Sequence, residues 1–144
     1  IPILLVSLDA RNYGARAWVV KVIAALRDPR GLDLLEHALQ ADIAPSVRRS
    51  ATRGLADLEL SEDAAHDHQL ERCFEGLLKA VRDDEWVVRY AAAYGLEQRL
   101  NSAAVSAHLA EQGRAALNQL ASDAEGVRVV QLRALKALQR LNAG

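Results

Sequence analysis

Apolar residues recur every three to four positions along most of the chain, and in four places they do so inside nearly the same word. The words are GARAWVVKVIAAL from Gly14, SVRRSATRGLADL from Ser46, WVVRYAAAYGLEQRL from Trp86 and GVRVVQLRALKAL from Gly126. Each carries an arginine after a small or β-branched residue. With Arg16, Arg48, Arg89 and Arg128 as anchors, the spacings are 32, 41 and 39 residues, the length of one helical hairpin in an α-solenoid. Val47, Ala51, Leu55 and Leu58 share one helical face, as do Val88, Ala92 and Leu96, and Val127, Leu135 and Leu138. One buried stripe per word is therefore expected. Partner helices are expected between the words, over roughly 31–41, 68–81 and 103–120, with 1–8 the remnant of an earlier one.

The punctuation agrees with this division. Asp28-Pro29 closes the first long helix, and Pro45-Ser46 opens the next with Ser46 as N-cap. Asp83-Asp84 and Ser122-Asp123 precede later starts, where such side chains favour a helix N-terminus. The pattern predicts an all-α solenoid of about four stacked antiparallel helix pairs. Because each pair buries its apolar face only against its neighbours, this is one domain, with units over roughly 1–29, 30–61, 66–101 and 102–144.

Positions one, five and eight residues after each anchor point away from the apolar stripe. They hold Ala17, Lys21 and Ala24; Arg49, Arg53 and Ala56; Tyr90, Tyr94 and Glu97; and Val129, Arg133 and Lys136. In a solenoid the second helices of successive units line up side by side, so these residues form a ladder across a shallow groove. Lys21, Arg49, Arg53 and Arg133 suit carboxylates or phosphates, while Tyr90 and Tyr94 offer flat surface with a polar tip. Two readings stand together here: a planar, anionic ligand, or contact with a protein partner. The anchor arginines are expected to serve structure, reaching loop acids such as Asp83 or Asp123. Trp18 and Trp86 stand near the starts of second helices and are expected to seal joints between units, with Trp86 also walling the groove.

Composition narrows the classes. The chain is 51% hydrophobic but only 4% aromatic, so its apolar content is nearly all Ala, Leu and Val, a mixture that favours helix. A net charge of −1 supplies no field to draw nucleic acid. No apolar run reaches the roughly 20 residues of a membrane span, so neither nucleic-acid binding nor membrane insertion is expected. The single Cys73 excludes an internal disulfide framework and fits a reducing, cytoplasmic setting.

Several chemistries lack their constellations. His66, Asp67, His68 and Cys73 have the residue types of a zinc site, but His68 and Cys73 five apart on a helix point about 140° apart, so no metal is expected. Cys73 lies near Leu70, Phe74 and Leu77 and reads as a packing residue rather than a nucleophile. A phosphate-cradling glycine loop, a serine nucleophile elbow and an HExxH helix are all missing. His37 and His108 have no acid or nucleophile at a suggestive spacing and read as surface or half-buried residues.

NYGARAWVVKVIAALRDPRGLDLL (12–35), APSVRRSATRGL (44–55) and DDEWVVRYAAAYGLE (83–97) resemble the HEAT-like bilin lyases of phycobilisome assembly, specifically their F-type subunits. The likeness extends more loosely through 121–141. It implies a HEAT-like α-solenoid and an F-type subunit paired with a homologous E-type subunit. The pair attaches an open-chain tetrapyrrole bilin, as substrate rather than prosthetic group, through a thioether to a cysteine of a phycobiliprotein α subunit. In this setting Arg49 and Arg53 are expected to take the bilin propionates, and Tyr90, Tyr94 and Trp86 to face its conjugated rings, with Lys21 and Arg133 flanking them. The compartment implied is a cyanobacterial cytoplasm or a plastid stroma. F-type subunits carry further repeats before the point matching Ile1, so the chain resembles their C-terminal two thirds. The alternative implied by related HEAT-like proteins is a non-catalytic scaffold or chaperone in phycobilisome assembly or degradation.

Overall fold

The computed structural model describes residues 12–102 and 105–143; the helix remnant expected over 1–8 lies outside them. The described residues form helices without strands: α1 (Tyr13–Leu26), α2 (Leu32–Ala41), α3 (Pro45–Asp57), α4 (His66–Ala80), α5 (Trp86–Leu100), α6 (Ala107–Ala121) and α7 (Arg128–Ala143), with a 3₁₀ turn at Pro29–Gly31. The repeated words are α1, α3, α5 and α7. These four pack side by side as one layer, α3 against α1 and α5, and α5 against α7, while α2, α4 and α6 form the other.

Local chemistry sets the ends. Asn12 caps α1, its side chain accepting from the Ala15 amide at 3.2 Å. The helix closes at Leu26 on Arg27, whose φ of 53° puts it in the left-handed region, so the chain turns before Asp28-Pro29 rather than at it. Asp28 instead starts the 3₁₀ turn by accepting from the Arg30 amide at 2.8 Å. The expected Ser46 cap is also corrected. Ala44 is the N-cap of α3 with Pro45 at the first turn, because proline's fixed φ and missing N–H suit that position. Ser46 bonds the Tyr13 hydroxyl of the preceding unit instead.

A continuous apolar core runs from Val19 in α1 to Ala137 in α7. Val47, Ala51, Leu55, Leu58, Val88, Ala92 and Leu96 are all buried as their spacing requires. The layers approach closely: a Cβ on Gly76 would lie 2.5 Å from Leu55, and one on Gly95 would lie 2.5 Å from Leu77. In α7 the expectation fails. Leu135 is exposed, Val127 and Leu138 are half-buried, and Val130, Ala134 and Ala137 hold the core instead. The physical reason is that α7 packs on α5 and α6 with no further described helix on its other side.

The anchor arginines build the seams between units. Arg16 pairs with Asp42, Arg48 with Asp83 and Arg89 with Glu125, each through Nε at 2.8–2.9 Å. Each acid belongs to the loop that starts the next repeated helix, and each also accepts from an amide two residues on: Ala44, Glu85 and Val127. Arg48 donates to the Asp42 carbonyl, and Arg89 to the Asp83 carbonyl. Each of these two loops is thus gripped from both sides. The expected Asp83 partner is therefore correct, and Asp123 is replaced by Glu125. Arg89 holds the Glu125 carboxyl below its ordinary range.

Two expectations for large side chains also change. Trp18 is 62% exposed and Trp86 is 44% exposed, so neither seals a joint. Cys73 is fully buried, its sulfur 3.6 Å from Arg99 Nη2, and burial pushes its thiol pKa up, which opposes thiolate chemistry. His68 is exposed on the same helix, so the two point apart.

Candidate functional site

The face of the repeated-helix layer carries a groove of about 300 Å³ between α1 and α3, lined by Lys21, Ala24, Ala25, Arg49, Ser50, Arg53 and Asp57. Lys21 and Arg49 stand one helix apart on its rim, both exposed. Among the described residues neither has an ion-pair partner. Their charges are therefore open to an anion.

The rest of the ladder is internally engaged. Arg53 stacks its guanidinium 3.9 Å from the centre of the Tyr94 ring, a cation–π contact. Tyr94 donates its hydroxyl to Asp57 Oδ1 at 2.7 Å. Partial burial, then the hydrogen bond to Asp57, raises the Tyr94 pKa, so the phenol stays protonated. Tyr90 is half-buried against the core. The two tyrosines are thus not a free aromatic face: Tyr94 joins α3 to α5 through Arg53 and Asp57, and only part of Tyr90 is open. Trp86 is the most exposed aromatic side chain of α5.

Arg133 departs furthest from its expected place. Its Nη2 lies 2.8 Å from Glu97 Oε1, with both side chains largely buried, and Arg140 approaches the other carboxylate oxygen at 3.5 Å. The contact is ionic rather than a well-aligned hydrogen bond, leaving Glu97 Oε1 and Arg133 Nη1 without hydrogen-bond partners among the described residues. Arg133 also sits 5.9 Å from the Tyr94 ring. The position eight residues after each inner anchor does not face open solvent. Ala56 and Glu97 are buried, since that register meets the next repeated helix: a Cβ on Gly95 would lie 3.0 Å from that of Ala56.

Sequence reasoning missed two participants, Asp57 and Arg99, and misplaced a third, Glu97. Asp57 lines the groove and also a neighbouring cavity of about 540 Å³ with Arg27, Glu59, His66 and Arg99. Arg99 is buried and donates to the Leu55 carbonyl at 2.6 Å and the Leu58 carbonyl at 2.9 Å. Its signal was available: it occupies the register, ten after the anchor, that holds Leu26, Leu58 and Leu138 in the other words. Glu97 carried a similar signal, an acid opposite Ala24 and Ala56 in the repeat. Among the described residues no group of three or more His, Cys, Asp or Glu side chains is placed to hold a metal ion, and no helix is long and apolar enough to cross a membrane.

No family model matches the chain. It is 57% identical over 143 residues to the bilin biosynthesis protein RpcF of Synechococcus sp. (strain WH8020), covering 98% of this chain and 66% of that protein. It is 42% identical over 96 residues to the phycocyanin alpha phycocyanobilin lyase CpcF of Synechocystis sp. (strain ATCC 27184 / PCC 6803 / Kazusa), covering 65% of this chain and 45% of that one. Among solved structures, the complex of CpcE and CpcF of phycocyanin lyase from Nostoc sp. PCC7120 contains a similar chain. The likeness has a TM-score of 0.80 and 38% identity, over 96% of this chain and 79% of that one. The chain thus spans from under half to about two thirds of the length of the curated relatives named here.

Proposed function

Because the chain belongs to the F-type subunits of the HEAT-like bilin lyases, we propose that it acts as one domain within a heterodimeric lyase. The substrate is an open-chain tetrapyrrole, and the product is a thioether between the bilin and a cysteine of a phycobiliprotein α subunit. The names of its relatives support the bilin and the α subunit, and the solved CpcE–CpcF complex supports a homologous E-type partner. The observation that carries the reading is the pair of unpartnered cations, Lys21 and Arg49, on a groove whose other charged lining residues, Arg53 and Asp57, are both held by Tyr94. The setting is the cytoplasm of a cyanobacterium or the stroma of a plastid, consistent with one reduced, buried cysteine.

A bilin is flat and carries two propionates. Lys21 and Arg49 take the carboxylates, Arg49 in a bidentate manner. The open part of Tyr90 and the exposed Trp86 supply flat apolar surface. Arg53 and Asp57, both fixed by Tyr94, are preset lining residues that need no reordering when the ligand arrives, and Arg133 acts through Glu97 to hold α7 against α5. The chemistry is addition of the acceptor thiol across an exocyclic double bond of the bilin: a carbon–sulfur bond forms, and the thiol proton passes to the neighbouring carbon. Nothing leaves. The lyase's contribution is chiefly to hold the reacting atoms at attack distance.

The double substitution Lys21→Glu, Arg49→Glu tests this reading. Absorption titration with a phycocyanobilin-type bilin should show affinity reduced roughly 100-fold, since two charge-assisted contacts become repulsions. The melting temperature should be unchanged, because both side chains are exposed. Equal affinity in parent and variant removes these residues from the site.

A further inference from the structure

Asp57 stands where its own helix disfavours it. It is the last residue of α3, and the carbonyl end of a helix repels a negative charge. The same register, nine after the anchor, holds Ala25, Gln98 and Ala137 in the other words, so the repeat does not call for an acid there. Its neighbours nevertheless fix it from both sides. Arg27, from the preceding unit, donates Nε to the Asp57 carbonyl at 2.8 Å. From the following unit, Arg99 donates to the Leu55 and Leu58 carbonyls on either side of it, and Tyr94 donates to Oδ1. The other oxygen, Oδ2, accepts no hydrogen bond among the described residues and has no ion-pair partner. Packing accounts for the oxygen that Tyr94 uses, but an Asn or Ser would accept that hydroxyl equally well. A residue that opposes its helix, yet is held in place with one oxygen free, marks a position kept for use.

We propose that Asp57 is the acceptor for the nitrogen edge of the substrate: its free Oδ2 takes the N–H groups of the open-chain tetrapyrrole and holds the basic imine-type nitrogen in its protonated form. The proposal rests on the bilin reading above and adds a contact of opposite sign to it. Asp57 is the one carboxylate among the residues lining the groove. Arg49 and Asp57 lie eight residues apart on α3, about 12 Å along the helix axis, and Lys21 shares the register of Arg53 between them. The groove therefore runs from cationic to acidic along its length. A bilin matches both signs, with carboxylates on its middle rings and N–H donors along its conjugated chain. Those donors need an acceptor once they leave water, and a carboxylate beside a protonated nitrogen makes a charge-assisted bond that favours the cationic form. Together with the propionate contacts, this bond fixes which way round the chain of rings lies.

The test is an absorption pH titration of a phycocyanobilin-type bilin bound to the chain in complex with the E-type subunit, because protonation of a bilin moves its long-wavelength band to the red. Asp57→Asn and Asp57→Ser both keep an acceptor for Tyr94 and lose the charge. In each, the midpoint for loss of the bilin proton should fall by about one unit or more, with affinity at neutral pH reduced no more than about tenfold. A parental midpoint in both variants, with bilin bound, overturns the nitrogen contact and leaves the groove reading standing. Undiminished bilin binding by the Lys21→Glu, Arg49→Glu variant overturns the groove reading and this inference with it. A marked loss of melting temperature in both Asp57 variants also overturns the proposal, because the charge then serves the fold.

Discussion

Replacing Glu97 by Ala should lower the unfolding free energy by about 3–4 kcal/mol, because it strands Arg133 as a largely buried cation with no acid beside it. Arg140, half exposed, can turn to water, but Arg133 is held between α5 and α7. The pair itself is another matter. Desolvation offsets most of what two buried charges gain from each other, and here the alignment is poor enough to leave Glu97 Oε1 and Arg133 Nη1 unbonded. Changing both residues to Met should therefore cost less than about 1 kcal/mol. Urea unfolding of Glu97→Met, Arg133→Met and the double closes the cycle. A double variant as unstable as the sum of its singles contradicts this account of the seam.

The second large effect lies at the opposite end of the same helices. Asp83→Ala should cost about 2–3 kcal/mol, somewhat below a fully buried pair because the partners retain slight exposure. One carboxylate does three jobs: it accepts Arg48 Nε at 2.9 Å, Arg48 Nη2 at 3.1 Å, and the Glu85 amide that opens α5. Asp83→Asn keeps the amide contact and loses the charge, so it should recover about 1 kcal/mol of the deficit, the usual worth of such a cap. Because the second and third units meet at this seam, the denaturant slope should also fall if the transition loses cooperativity. A loss under about 0.5 kcal/mol for Asp83→Ala means that the arginine ladder decorates the stack rather than joining it.

What could be read from the chain alone follows the range of the interactions involved. Helix existence and the repeat period depend on spacing within one word, and the buried stripes of α3 and α5 were legible for that reason. The anchor arginines were recognisable as structural, and one of the two acids named for them is correct. Choosing Glu125 over Asp123 requires knowing how far the last loop runs before α7 turns. The ladder positions were harder still. A helical wheel treats each helix as facing either core or water, whereas a stacked helix also has two flanks against its neighbours. That third environment buries Glu97, ties Tyr94 to Asp57, and takes Arg133 out of the groove. It also explains Leu135, apolar by pattern yet exposed, because its flank has no described neighbour. Of the seven residues expected at the site, Lys21, Arg49 and Arg53 line one groove, Tyr94 underlies it through Arg53 and Asp57, Tyr90 and Trp86 belong to the adjoining helix, and Arg133 belongs to the seam.

The division of labour implied by these placements is positional throughout. Fixed contacts hold the units in register, and the open cations at Lys21 and Arg49 are the ones proposed to take the bilin carboxylates. Co-expression of the chain with an E-type subunit, a phycobiliprotein α subunit and a bilin supply, scored as zinc-enhanced fluorescence of the denatured acceptor, tests the central claim most directly. The account predicts a covalently pigmented α subunit whose fluorescence disappears when this chain is omitted. Equal pigmentation without it would contradict the lyase assignment and leave the chain a scaffold in antenna assembly.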